Sequence, residues 1–226
     1  MVSGLIFTNV DVCIKKMKNQ EKTPIENGAG ASAIILAGGK SSRMKMDKAL
    51  LPVSGIPLIE KVAGTIESYF DEIIISAQTE KMYEFLPYPV VADSRQGQGP
   101  LMGIYSGLKA SSNQINFVVA CDIPVVDITF IQHLKSFTND YEIVVPVTGD
   151  GLYEPLFAFY HRNLIPRIEA LLSQHIRKVI ELYPLATVKE VTMENNNWYF
   201  NLNTEEDYQR FLNKQKGGMT HPEEKR

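Results

Sequence analysis

Residues 33–51 read AIILAGGKSSRMKMDKALL, and no other stretch constrains the fold as tightly. Four apolar residues, Ala33 to Leu36, run into the pair Gly38-Gly39 and then into Lys40, Arg43, Lys45 and Lys48. A helix-like apolar stretch begins near Pro57. The order is buried strand, cationic turn, helix. In open α/β sheets the carboxyl edge of a strand is where ligands bind. Gly38 and Gly39 allow close approach of the backbone and leave amides that can point at a ligand. Such a loop suits an anion, and a polyphosphate best of all.

Spacing excludes the two commoner phosphate loops. A Walker-type loop ends in Lys followed by Ser or Thr, whereas Lys48 is followed by Ala49. The dinucleotide fingerprint needs three spaced glycines, and only an adjacent pair is present here. The loop is also long for a tight turn, and its length fits wrapping around a nucleotide. A merely solvated basic turn leaves the conjunction of Gly-Gly, Arg43 and the Asp47-Lys48 pair unexplained.

Strand candidates at 33–36, 72–76, 89–91, 116–120, 142–146 and 156–160 alternate with helix candidates at 57–68, 80–86, 101–110, 128–137, 163–173 and 205–212. The strands are short and almost wholly apolar, the pattern of strands covered on both faces. This alternation predicts an α/β protein with a mostly parallel central sheet and right-handed crossovers. At 226 residues, one large domain is expected, over 31–213. Residues 1–30 end in the linker-like EKTPIENGAGAS and are expected to form an extension, and 214–226 a polar tail.

The net charge of −3 argues against a nucleic-acid partner, so the basic loop is a local site in a mildly acidic chain. Cys13 and Cys121 have no metal-type spacing and are expected as reduced thiols. No apolar run approaches the roughly 18 residues that span a membrane, and the first residues make a poor secretory signal. A cytoplasmic protein with no membrane partner is expected.

Cys121-Asp122-Ile123-Pro124 follows the apolar FVVA, so Asp122 belongs at a strand's carboxyl edge, on the side of the first loop. A carboxylate opposite a phosphate loop suits Mg²⁺, which takes one or two carboxylates plus substrate phosphates. Asp93, after Val90-Val91, is the natural second carboxylate, although Asp-Ser-Arg also makes a good turn. In GQGPLMGIYSGL, residues 97–108, Pro100 reads as the first residue of a helix. Gly99 and Pro100 then line a nucleotide cleft, while Gly103 and Gly107 give the helix a thin packing face. Thr204 reads as a helix cap. Asn201 and Asn203, on one side of an extended segment, can hydrogen-bond a polar substrate or a phosphate. The four histidines share no ligand spacing, and no Cys-His or Ser-His-Asp constellation is present.

Taken together, these motifs resemble those of the molybdenum cofactor guanylyltransferases, the MobA family. The family pattern runs LAGG-x-S-x-R-M-G-x-D-K-x-L, then Asp…G-P-L-x-G, C-D-x-P and N-x-N-T. The sequence matches it at Leu36, Ala37, Gly38, Gly39, Ser41, Arg43, Met44, Asp47, Lys48 and Leu50. It matches again at Asp93, Gly99, Pro100, Leu101, Gly103, Cys121, Asp122, Pro124, Asn201, Asn203 and Thr204. Two positions depart: Lys45 stands where the family usually has glycine, and Ser76 where some relatives carry asparagine.

The resemblance implies a three-layer α/β/α Rossmann-like nucleotidyltransferase fold of the GT-A type. It implies transfer of GMP from GTP to the phosphate of molybdopterin or Mo-molybdopterin, with release of pyrophosphate. It also implies Mg²⁺ or Mn²⁺ on Asp122 and Asp93, with Arg43 and Lys48 neutralising phosphate charge. The carbonyls of Leu36 and Ala37 would read guanine, since related cytidylyltransferases more often carry Ala-Gly in place of Gly38-Gly39. Asn201, Asn203, Arg177 and Lys178 would meet the acceptor, with Glu154-Pro155-Leu156 bordering its cleft. Molybdopterin-synthesis and molybdoenzyme-maturation proteins are the implied partners. Rival readings are a CTP-using enzyme of the same fold and a non-catalytic GTP-binding delivery module.

Overall fold

A computed structural model describes residues 30–37, 47–93, 97–194 and 198–217. Its centre is a seven-stranded sheet of order β5-β4-β1-β6-β8-β7-β9. The strands are β1 Ala31–Ala37, β4 Glu72–Ala77, β5 Val90–Ala92, β6 Ile115–Ala120, β7 Ile143–Val147, β8 Phe157–His161 and β9 Val188–Thr192. β1 pairs in parallel with both β4 and β6, β4 with β5, and β7 with β9. β8 runs antiparallel to both of its neighbours. The mostly parallel sheet expected from the alternation is therefore present, with one reversed strand.

Strand side chains alternate between two helical layers, as the two-residue period requires. Ala33, Ile35 and Ala37 of β1 join one buried cluster, and Ile34 and Leu36 join the other. The first layer holds α1 (Leu58–Ile66), α3 (Ile128–Lys135) and α5 (Glu205–Gly217). The second holds α2 (Pro100–Ala110) and α4 (Ile165–Ser173). α1 buries Leu58, Ile59, Val62, Ala63 and Ile66, one stripe at helical spacing. α2 is buried over most of its surface and crosses β1 so closely that a methyl at Gly107 would lie 2.4 Å from Ile34 Cγ2. Packing accounts for that glycine.

Several expected elements differ. β9 escaped the strand reading because VKEVT alternates polar and apolar residues at a sheet edge, with only Val191 buried. A hairpin of β2 (Pro52–Val53) and β3 (Ile56–Pro57) turns on Ser54 and Gly55, both at positive φ, the signature of a type I′ turn. The helix expected at 80–86 is a 3₁₀ turn, Glu80–Tyr83. The one expected at 163–173 opens with a 3₁₀ turn, Arg162–Leu164. α5 runs to Gly217, past the expected boundary at 213.

The strand order fixes where a ligand can sit. From β1 the chain builds outward through β4 and β5, then returns to place β6 on the other side of β1. This reversal opens a crevice beyond the carboxyl ends of β1 and β6, where Leu36 and Ala120 lie in register.

Candidate active site

Two chain segments meet at that crevice. Asp47 ends the cationic loop, and its carboxylate accepts the Ala49 amide at 3.0 Å, capping the 3₁₀ turn Lys48–Leu50. Tyr83, fully buried, donates its hydroxyl to the other Asp47 oxygen at 2.6 Å. Burial and this carboxylate push the tyrosine pKa far up, so it stays a donor. From the second segment, Asp122 leaves β6 in a turn closed by the Ile123 amide on the Ala120 carbonyl, at 3.3 Å. Lys48 Nζ then lies 3.1 Å from Asp122 Oδ2.

A third segment completes the arrangement. The Leu202 amide donates to the Asp122 carbonyl at 2.9 Å, holding residues 201–203 beside the β6 turn. Asn203 Oδ1 accepts from Lys48 Nζ at 2.9 Å. Just beyond, Thr204 and Asp207 form a reciprocal capping box. The Asp207 amide donates to Thr204 Oγ1 at 3.1 Å, and the Thr204 amide to Asp207 Oδ2 at 3.0 Å. Thr204 thus has its structural role at the start of α5, and the neighbouring asparagine faces the crevice lysine.

Beside this trio lies a cavity of about 440 Å³, lined by Asp122, Asn201, Asn203 and Lys178, with Pro100 and Glu154-Pro155-Leu156 on its walls. Lys178 lies in the extended link between α4 and the 3₁₀ segment Val179–Leu185. Arg177 is turned elsewhere. It donates to the Gly97 carbonyl at 3.1 Å and tethers the loop before α2. Gly99 in that loop takes a positive φ of 75°, and Pro100 follows as the first residue of the helix.

Asp93 follows β5, three strand positions from β6, and its carboxylate turns toward β1: a methyl on Gly103 would lie 4.0 Å from Asp93 Oδ1 and 3.1 Å from Leu36 Cδ2. Burial raises its pKa, against the pull of the Ser106 and Ser76 hydroxyls. The Ser76 hydroxyl donates to Asp93 Oδ1 at 3.4 Å. The Leu36 carbonyl accepts the Cys121 amide at 3.1 Å, so it already serves to tie β1 to the β6 turn. Ala37 ends β1 at the crevice edge. Gly38, Gly39 and Arg43 lie outside the described residues. Residues that sequence reasoning did not single out also join the site: Tyr83, which holds Asp47, and Val179, Ile180 and Tyr199 on the cavity wall.

Comparison with known proteins identifies the family. Residues 33–190 match the family described as MobA-like NTP transferase domain. The chain belongs to the molybdenum cofactor guanylyltransferases within that family. A protein of Syntrophotalea carbinolica, named molybdenum cofactor guanylyltransferase, is 33% identical over 189 residues, 80% of this chain and 90% of the relative. One of Pelotomaculum thermopropionicum, named as a probable enzyme of that kind, is 39% identical over 184 residues, 78% of this chain and 89% of the relative. Among solved structures, molybdopterin-guanine dinucleotide biosynthesis protein A from Archaeoglobus fulgidus shares the fold. It aligns with a TM-score of 0.72 at 23% identity, covering 82% of this chain and 99% of that one. Family membership makes the chain a nucleotidyltransferase, and the fold is the Rossmann-like one that the motifs implied.

Proposed function

We propose that this protein transfers GMP from GTP to the terminal phosphate of molybdopterin, or of its molybdenum-loaded form. A phosphate oxygen of the acceptor attacks the α-phosphorus of GTP. The bond from that phosphorus to the bridging oxygen breaks, and pyrophosphate leaves with the electron pair. The acceptor oxygen is already anionic, so no protein base is required. The sequence correspondingly offers no Cys-His or Ser-His-Asp constellation. The site must align two polyanions and neutralise their charge.

The observation that carries this reading is the position of Lys48. Its ammonium is held between the Asp122 carboxylate and the Asn203 carbonyl, at the carboxyl edge of the sheet and beside the cavity. There it is aimed to receive phosphate oxygens, with Arg43 of the glycine loop as the second cation. Ala37 borders the base, and Asp93, on the nucleotide side, stands ready to accept from the sugar or a metal-bound water. Asn201, Asn203 and Lys178 face the acceptor, while Arg177 supports the Gly97–Gly99 loop between them.

The residues fit a divalent ion. Asp122 offers a hard carboxylate oxygen next to the phosphate site, with the Asn203 carbonyl oxygen nearby. Mg²⁺ or Mn²⁺ bound there would neutralise charge on the polyphosphate and on the departing pyrophosphate. Asp93, at the carboxyl end of β5, is the candidate second carboxylate, reaching the ion directly or through a bound water.

The test is pyrophosphate release from each of the four nucleoside triphosphates, with and without molybdopterin. GTP alone should support turnover, and only with the acceptor present. Turnover with CTP would establish the cytidylyl reading, and GTP binding without pyrophosphate release would establish a delivery module.

A further inference from the structure

Two polar groups of different chemistry face the 440 Å³ cavity. One is Asp122 and Asn203, the partners of Lys48, together with Lys178, suited to a phosphate and its counter-ion. The other is built from Glu154, Tyr199 and Asn201; the reaction just described gives Glu154 and Tyr199 no task and Asn201 only a place on the acceptor's side. Tyr199 donates its hydroxyl to Glu154 Oε2 at 2.6 Å. That hydrogen bond fixes the carboxylate and leaves its second oxygen for another donor. Burial raises the pKa of Glu154 and, together with the bond to it, that of Tyr199. Asn201 Oδ1 is buried and has no hydrogen-bond partner among the described residues. An unpaired buried acceptor is costly, and Asn201, which lines the cavity, can turn this oxygen to a donor that arrives with the ligand.

These acceptors are the wrong chemistry for phosphate, which brings only more acceptors. They suit a ring edge bearing N–H donors, and the apolar walls of Pro155, Leu156, Val179 and Ile180 suit the flat face of such a ring. A 2-amino-4-oxopyrimidine edge presents two adjacent N–H groups that match a carboxylate. Guanine and a pterin share it. The cavity is lined by the turn after β6, the segment entering β8, the link before the Val179 segment, residues 199–203 and, at one edge, Pro100 at the start of α2. No residue of β1, β4 or β5 lines it, so it lies on the acceptor side of the crevice and away from Ala37 and Asp93.

We propose that Glu154, oriented by Tyr199 and joined by Asn201, reads the 2-amino-4-oxo edge of the acceptor's pterin ring. This assignment rests on the reaction proposed above. It makes Glu154 a specificity residue that touches substrate but no reacting atom, and Tyr199 its positioning residue.

The full-length protein, Glu154→Gln and Tyr199→Phe are compared by GMP-transfer kinetics with molybdopterin. Calorimetric titration then uses 6-hydroxymethylpterin phosphate and its 2-desamino counterpart, with GTP and ITP as the guanine pair. Glu154→Gln should raise the KM for molybdopterin at least about tenfold with kcat within about twofold, and Tyr199→Phe should do so less. The wild type should prefer the 2-amino pterin at least about tenfold, and Glu154→Gln should erase that preference while keeping the GTP over ITP preference and the melting temperature. An unchanged KM in Glu154→Gln overturns the assignment, as does a wild type blind to the 2-amino group. Loss of the GTP over ITP preference instead would mean that the carboxylate reads guanine, which also overturns it. A wild type that transfers no GMP at all would refute the reaction itself, a separate result.

Discussion

Lys48 and Asp122 are 74 positions apart in the chain, yet their charged groups meet at 3.1 Å across the switch point of the sheet. Asp122 comes from the turn just beyond β6, and Lys48 from a 3₁₀ turn eleven residues past the end of β1. The two strands are neighbours only because the chain reverses its direction of growth there. Both side chains keep about a fifth of their surface in contact with solvent, 19% and 22%. A pair so accessible stabilises a fold by about 1 kcal/mol at most. Its value lies in the ligand charge that it is placed to receive.

Tyr83 is expected to matter for activity without touching substrate. Its hydroxyl holds Asp47, which caps the turn carrying Lys48. Tyr83→Phe should lose about 1.5 to 3 kcal/mol of stability, the range for a hydrogen bond to a charged group. Displacement of Lys48 should also slow transfer by between about tenfold and a hundredfold. Thermal unfolding and transfer kinetics measure the two effects. A variant that melts earlier but turns over normally would show that Asp47 keeps its position unaided.

Gly107→Ala should destabilise the protein by about 1 to 3 kcal/mol through overpacking against Ile34. Gly103→Ala should be milder, because its methyl would lie 3.1 Å from Leu36 Cδ2 and 3.3 Å from the Ser76 hydroxyl. Denaturant unfolding ranks them. Equal stability of both variants would contradict the close approach of α2 to β1.

Glu142 is held by Arg167 at 2.7 Å, and this hydrogen bond, aided by the Thr187 amide, depresses its pKa to about 2. A depressed carboxylate contributes stability above its unfolded pKa, near 4.5, and loses it as pH falls toward 2. Arg167→Ala should therefore melt below the wild type at neutral pH, by no more than about 1 kcal/mol for so exposed a pair. The difference should close between pH 4.5 and 2. A gap that persists at pH 2 would mean that Arg167 acts through packing.

The parts of this molecule legible in the sequence are those that carry a local signature. β1, β4 and β6 announce themselves as apolar runs because both of their faces are covered, and Pro100 and Thr204 mark helix starts by their own chemistry. The direction of β8 is invisible in FAFY, since an apolar run reads the same whichever way it pairs. β9 hides because an edge strand keeps polar residues on its open side. In the site, Asp122 and Lys48 follow from strand ends and charge. Tyr83 does not, because its partner Asp47 is 36 positions away and nothing near either residue signals the pairing. Tyr199 is hidden for the same reason, being 45 positions from Glu154.

The most direct measurement is pyrophosphate release from GTP in the presence of molybdopterin and Mg²⁺, compared among wild type, Lys48→Ala and Asp122→Ala. Removing one well-placed charge donor or its carboxylate partner should cost roughly a hundredfold to a thousandfold in rate, with the circular dichroism and melting of the folded protein retained. Turnover close to wild type in either variant would contradict a phosphate-transfer site built around these two residues.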